Sequence, residues 1–262
     1  MRPDELLPAH LAGRLRPWTG HDEDFVRATR DENAAMVCNT LLARCFGDAT
    51  EIERLLVHER DLALVAVRWS TLGSVLPVEV TCQACAAQHD VSIDLDRLVR
   101  PDAVLDEIAI GPAIVRIPTA GDQAAIVAHD DALPEQRRAR LLARCIRSID
   151  GVESVDVHAL DPILRAQIES GLEGAIPDID LELVLDCPAC GVSIEAGVQL
   201  GAMVLAELRD GSAHLLRDVH VLARAYHWSE RDILALTIGR RREYLSLIDV
   251  DQTTSILVEA RD

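Results

Sequence analysis

The sequence predicts an α+β chain, predominantly helical, made of an internally duplicated helical unit with a β-knuckle and a helical extension after it. Three observations carry this expectation. Two C-x-x-C pairs, Cys82–Cys85 and Cys187–Cys190, each join two short alternating apolar segments. Helical stretches precede both pairs in the same order. Hydrophobic residues make up 49% of the chain and aromatic residues only 3%, so the core is built mainly from Leu, Ile, Val and Ala, which favours helices packed on small sheets. At 262 residues the chain can bury a substantial core in one or two domains.

The first unit spans residues 14–100, after a lead-in with no assignable pattern. In Arg16-Pro17-Trp18-Thr19-Gly20-His21-Asp22-Glu23-Asp24, Thr19 suits a helix N-cap, and the acids of the following turn suit the helix dipole. One long helical segment is expected from there through Leu41-Leu42-Ala43-Arg44-Cys45, ended by Gly47. Glu51 to Val67 reads as a second helical region, with Ile52, Leu55, Leu56, Leu62, Leu64 and Val65 apolar and Asp61 capping its second half. Trp69 to Gly73 turns the chain. Val78-Glu79-Val80 enters the first cysteine pair and Val91-Ser92-Ile93-Asp94-Leu95 leaves it, which reads as strand, knuckle and return strand.

The second unit, residues 114–203, repeats this order. Arg116, Thr119 and Asp122 match Arg16, Thr19 and Asp22 at a spacing of 100, and Leu141-Leu142-Ala143-Arg144-Cys145 matches Leu41 to Cys45 at the same spacing. The cysteine pairs match at 105. A spacing that holds across a cap, a helix end and a knuckle points to internal duplication; the period is too long for a solenoid. Residues 204–250 form a C-terminal helical segment. Leu200 to Arg209 and Ala213 to Tyr226 are helical, Ser229 and Asp232 make a capping box, and Ile238 to Ile248 forms the last helix. Residues 251–262 read as a loose tail.

A C-x-x-C pair holds two thiolates on a tight turn, half of a tetrahedral metal shell. His89 could add a third ligand to the first pair, and no His follows the second before His214. Neither pair completes a set locally. The economical expectation is that Cys82, Cys85, Cys187 and Cys190 converge on one structural zinc, clamping the two units together. Two other readings stay open: redox chemistry, which wants a helix rather than a return strand after the pair, and unmetallated packing cysteines. Cys38, Cys45 and Cys145 lie in helical apolar patterns and read as small buried hydrophobes.

The formal charge of −18 and pI near 4.8 disfavour nucleic acid and anionic membranes over most of the surface. Met1 to Leu7 has no apolar signal region and no span of 18 apolar residues occurs, which predicts a soluble, unexported chain in a reducing compartment. Among enzyme signatures, no G-x-G-x-x-G, Walker A, H-E-x-x-H or G-x-S-x-G occurs, and four thiolates on one zinc would leave no open position. The expectation is therefore a protein without catalytic residues. Arg240, Arg241 and Arg242 read as the one dense basic cluster, and with Tyr226, His227 and Trp228 they are the candidate partner-binding residues.

The chain resembles the T4 family baseplate hub assembly chaperones of tailed phages and phage-derived contractile injection systems. The resemblance lies in Leu15 to Glu23, both cysteine pairs, and Ala223-Arg224-Ala225-Tyr226-His227-Trp228-Ser229-Glu230-Arg231-Asp232-Ile233-Leu234 followed by Arg240 to Leu245. It departs at Thr237 and Ile238, where a proline is expected. It implies a non-enzymatic assembly factor for the baseplate hub, with hub or tail proteins as partners, working in the bacterial cytoplasm. Two alternatives accompany it. The chain could be a minor structural subunit retained in the baseplate, or, from another class, a zinc-ribbon nucleic-acid binder; the second is disfavoured by the acids Asp90, Asp94, Asp186 and Glu195 around the knuckles.

Overall fold

The computed structural model describes residues 2–102, 105–128, 133–153 and 155–259. Helix α1 (Gly20–Ala28) starts at Thr19, whose backbone N–H donates to Asp22 Oδ2 at 3.0 Å. The long helix expected from here is two helices. Asn33 caps a new one, α2 (Ala34–Phe46), by accepting from the Ala35 N–H at 2.9 Å, and Gly47 at φ 94° closes it.

The second helical region also divides, into α3 (Ala49–Arg54) and α4 (Val57–Leu72). Leu55 and Leu56 between them are extended, and the Glu59 carboxylate caps α4 by accepting from the Leu56 N–H at 3.1 Å. Asp61 is therefore no cap; it lies inside α4 and pairs with Arg60 at 2.6 Å.

Strands β1 (Val75–Thr81) and β2 (Gln88–Asp94) form the antiparallel hairpin that carries the first cysteine pair, with Val80 opposite His89. Alternation puts Leu76, Val78 and Val80 in the core. Next come β3 (Glu107–Ile110), β4 (Ala113–Arg116), α5 (Ala120–Val127), α6 (Pro134–Cys145), β5 (Ile146–Ile149), α7 (Pro162–Ala175), β6 (Leu181–Asp186) and β7 (Ser193–Val198). The β6–β7 hairpin is antiparallel like β1–β2 and carries the second pair.

Strands β3, β4 and β5 form a three-stranded antiparallel sheet in that order. The sequence reading, helices plus knuckle from residue 114, missed this sheet and began its unit inside β4. Four-residue strands are too short to display alternation, and β5 follows α6 without a break, so its Ile146 and Ile149 read as more helix.

The C-terminal segment holds α8 (Leu200–Gly211), α9 (Leu215–Tyr226), α10 (Glu230–Leu234) and α11 (Ile238–Glu259). Residues 251–259, expected as a loose tail, continue α11; no Gly or Pro after Gly239 interrupts it. Residues 260–262 of that expected tail lie outside the described residues.

Among the described residues, three large apolar clusters form the core, and a small fourth lies at the cysteine pairs. The largest joins α1, α2, α4, β1 and α8; a second joins the three-stranded sheet to α6 and α7; the third lies among α9, α10 and α11. A buried acid organises the start of each half. Asp22, fully buried, accepts from Arg16 at 2.6 and 2.7 Å and from Arg44 Nε at 3.3 Å. Asp122, also buried, accepts from both Arg116 Nη groups, one at 2.7 Å, and from Arg144 Nε at 2.7 Å. Burial alone would raise both carboxyls, but the Arg16 and Arg116 guanidiniums and the Thr19 and Thr119 amides reverse that and hold both below the usual carboxylate range.

Candidate metal centre

Each hairpin positions its cysteines by the same backbone device. In the first, the Ala86 N–H donates to Cys82 O at 2.9 Å and the Cys82 N–H to Ala87 O at 2.9 Å; in the second, Gly191 donates to Cys187 O at 2.8 Å and Cys187 to Val192 O at 2.9 Å. Ala86 (φ 59°) and Gly191 (φ 74°) both take the left-handed conformation that turns the chain back. Ala86 does so without a glycine, which the knuckle's bonds must hold in place.

The two turns face each other. Cys82 Sγ lies 3.7 Å from Cys190 Sγ and Cys85 Sγ 3.7 Å from Cys187 Sγ, and all four sulfurs lie within 4.8 Å of one another. Zn–S bonds of about 2.3 Å in a tetrahedron put sulfurs ~3.8 Å apart, so the four donors are spaced as a tetrahedral metal shell requires and could hold one ion. Cys82 and Cys187 are buried against Ile194, while Cys85 and Cys190 reach the surface.

Electrostatics favour the same use. The N–H groups of Cys85 and Ala84 point at Cys82 and lower its thiol to about 6. Cys190 receives the Val192 N–H, yet the thiols of Cys187 and Cys85 push it up to about 12. Four thiols this close cannot all ionise without a compensating cation. A metal bound by all four would supply it and would release protons on binding.

His89, expected as a possible ligand beside the first pair, sits instead against the other hairpin: its Nε2 lies 3.2 Å from Cys187 Sγ. It crosses between the halves as a hydrogen-bond partner of a donor sulfur. Cys38, Cys45 and Cys145 are buried away from the cluster, and burial pushes Cys38 and Cys145 up to about 11 and Cys45 to about 12.

The candidate partner-binding residues divide. Tyr226 and Trp228 stack with centroids 4.9 Å apart, and Tyr244 meets both edge-on. His227 is exposed and takes φ 56° to end α9. Arg240 lies exposed over the Tyr244 ring at 4.9 Å, and Arg242 is exposed. Arg241 is taken up by the chain itself: it is buried and donates to both Glu23 carboxylate oxygens at 2.6 and 2.8 Å. Nor is Arg240–Arg242 the one dense basic cluster. Arg137, Arg138, Arg140, Arg144 and Arg147 fall within eleven positions on α6 and β5, a run legible in the sequence but dispersed by alanines and leucines.

The sequence model of the family described as T4 bacteriophage base plate protein matches residues 10–200, which takes in both cysteine pairs and ends at the first residue of α8. No curated protein and no solved structure matches the chain. Among the described residues, no helix is long and apolar enough to cross a membrane.

Proposed function

This chain belongs to the T4 bacteriophage base plate protein family, and on that footing we propose that it is a non-enzymatic assembly factor for the baseplate hub of a contractile phage tail or a phage-derived injection system. The family match over residues 10–200 is the observation that carries the reading. Its partners are other baseplate proteins, hub or tail components, met in the bacterial cytoplasm. A charge of −18 supports an assembly role, because it keeps a complex with aggregation-prone hub surfaces soluble.

The four cysteines hold a structural zinc in this reading. A four-sulfur tetrahedral donor set suits zinc or iron, and with every position filled by thiolate the ion has no place for a substrate. The units 14–100 and 114–203 descend from a duplication. The Arg–Asp–Arg clusters spaced by 100 residues and the knuckles spaced by 105 support that.

The test is reconstitution. Purified hub components should bind this chain and assemble in higher yield with it than without it. If they neither bind it nor assemble differently, the assembly reading fails. If mass spectrometry finds it at fixed stoichiometry in purified particles, it is a structural subunit instead.

A further inference from the structure

One docking arrangement occurs twice in this molecule. In the first instance, the bend between α3 and α4 receives the start of α5: the Ala120 N–H donates to Leu55 O at 2.8 Å, Leu56 bridges to Thr119, and Arg60 donates to Gln123 Oε1. In the second, the bend between α10 and α11 receives the start of α1. The Gly20 N–H donates to Leu236 O at 3.1 Å, Thr237 bridges to Thr19, and Arg241 donates to Glu23.

The correspondence is residue by residue. Each receiving bend has a buried Ile (Ile52, Ile233), a Leu three residues on whose carbonyl accepts, and an Arg five residues after that. Each Arg is the fourth residue of its helix and meets the fourth residue of the docked helix, Gln123 or Glu23. Each docked helix has a glycine in its first two positions, where the approach is close. A Cβ on Gly20 would lie 2.9 Å from Leu234 Cα, and one on Gly121 3.0 Å from Glu53 O.

The same pattern stands a third time, and among the described residues no helix start is docked on it. Val157 is buried, Leu160 follows after three residues and Arg165, the fourth residue of α7, after five more. An acid of its own surroundings holds each arginine: Asp61 at Arg60, Asp218 at Arg241, and here Glu135 at 3.4 Å and Glu169 at 3.1 Å. The difference is exposure. Arg60 and Arg241 are buried in both docked bends, whereas the Arg165 side chain is 26% exposed; Leu56 and His58 are buried in the first, whereas the equivalent Asp161 and Ile163 are exposed.

We infer that the bend before α7 is a docking site for the first turn of a helix from another protein, with a small residue among its first two positions and Glu or Gln at its fourth. Local charge points to an acidic helix start despite the net charge of −18: the equivalent Arg241 holds Glu23, and the neighbouring α6 exposes Arg140 and Arg138, the latter 3.9 Å from Glu135. A second copy of this chain is a poorer occupant, because both of its helices of this kind, α1 and α5, are already docked. The site does not depend on the assembly role proposed above.

The test uses the whole protein, isotope-labelled, and a synthetic N-acetyl peptide of residues 17–30, which copies the start of α1. Saturable amide shifts confined to residues 157–166 and the first turn of α6 are expected. Arg165→Gln should weaken binding at least tenfold while leaving the thermal midpoint unchanged, and Ile163→Glu should do the same. A peptide with Lys at the position of Glu23 should bind at least tenfold less well. Absence of shifts overturns the inference. So do shifts at Leu236–Arg241, which would mean exchange with α1, and binding indifferent to Arg165→Gln or matched by a scrambled peptide.

Discussion

Cys82 Sγ and Cys190 Sγ lie 3.7 Å apart although 108 residues separate them, so whatever these sulfurs bind ties the two halves of the chain together. Elemental analysis of the purified protein should find one zinc per chain. Cys187→Ser with Cys190→Ser should remove it with Cys82 and Cys85 intact, and should lower the thermal midpoint, as should a strong chelator. The binding free energy of such sites, about 10–16 kcal/mol in zinc-finger peptides, acts on folding. Two zincs per chain, or none, would contradict a shared centre.

His89 supports a sulfur rather than completing the shell, because its Nε2 lies 3.2 Å from Cys187 Sγ while four sulfurs already surround one point. His89→Ala should keep one metal per chain but weaken its retention roughly 10–100-fold in competition with a chelator, the usual cost of removing such a partner. Loss of metal stoichiometry in that variant would make His89 a ligand.

Asp122 is buried with two arginines on it, and Asp122→Asn should destabilise the fold by about 3 kcal/mol in urea unfolding. That is the low end for breaking a buried pair, because Arg144 still reaches water. Asp22→Asn should behave alike, and an unchanged midpoint in both would show that the clusters add nothing to stability.

Acid should act through the same two groups. Their folded pKa values lie below the unfolded value of about 3.9, so the stabilisation is complete above about pH 5 and is lost as the pH falls toward the lowered values. Unfolding midpoints measured from pH 6 down to 2 should drop less steeply in the variant with both aspartates changed to Asn than in the parent.

Glu23 can be exchanged for Gln at little cost, since Gln123 performs its part in the equivalent contact. Burial pushes the Glu23 carboxyl up against the pull of Arg241, so the charge itself contributes little. Glu23→Gln should cost less than about 1 kcal/mol, whereas Arg241→Ala, which strands a buried carboxylate, should cost about 3–5 kcal/mol. Equal costs in the two variants would show that charge, not shape, holds the C-terminal helices to α1.

The legible parts of this fold are those with a local signature. Val78 and Val80 alternate with polar residues, and the C-x-x-C turns fit only tight knuckles, so the hairpins and the meeting of the four sulfurs could be anticipated. What escaped depends on distant contacts. Ile146 to Ile149 becomes a strand only because β4 lies beside it, and His89 reads as a neighbour of Cys85 until the hairpins are set face to face. The triple recurrence of Ile or Val, Leu and Arg at 52–60, 157–165 and 233–241 is present in the sequence, yet three sparse positions in nine carry no meaning until two of them are seen holding a helix.

The 105 residues between the knuckles also set an order in time. At roughly 5–20 residues per second, a ribosome delivers Cys82 and Cys85 about 5–20 s before Cys187 and Cys190, an interval following from their positions in the chain. For that interval the nascent protein carries an incomplete pair of thiols at the end of a finished hairpin. The joint between the halves can close only after the second hairpin has left the ribosome, so a chain truncated before residue 187 keeps Cys82 and Cys85 without the two sulfurs that meet them in the complete chain.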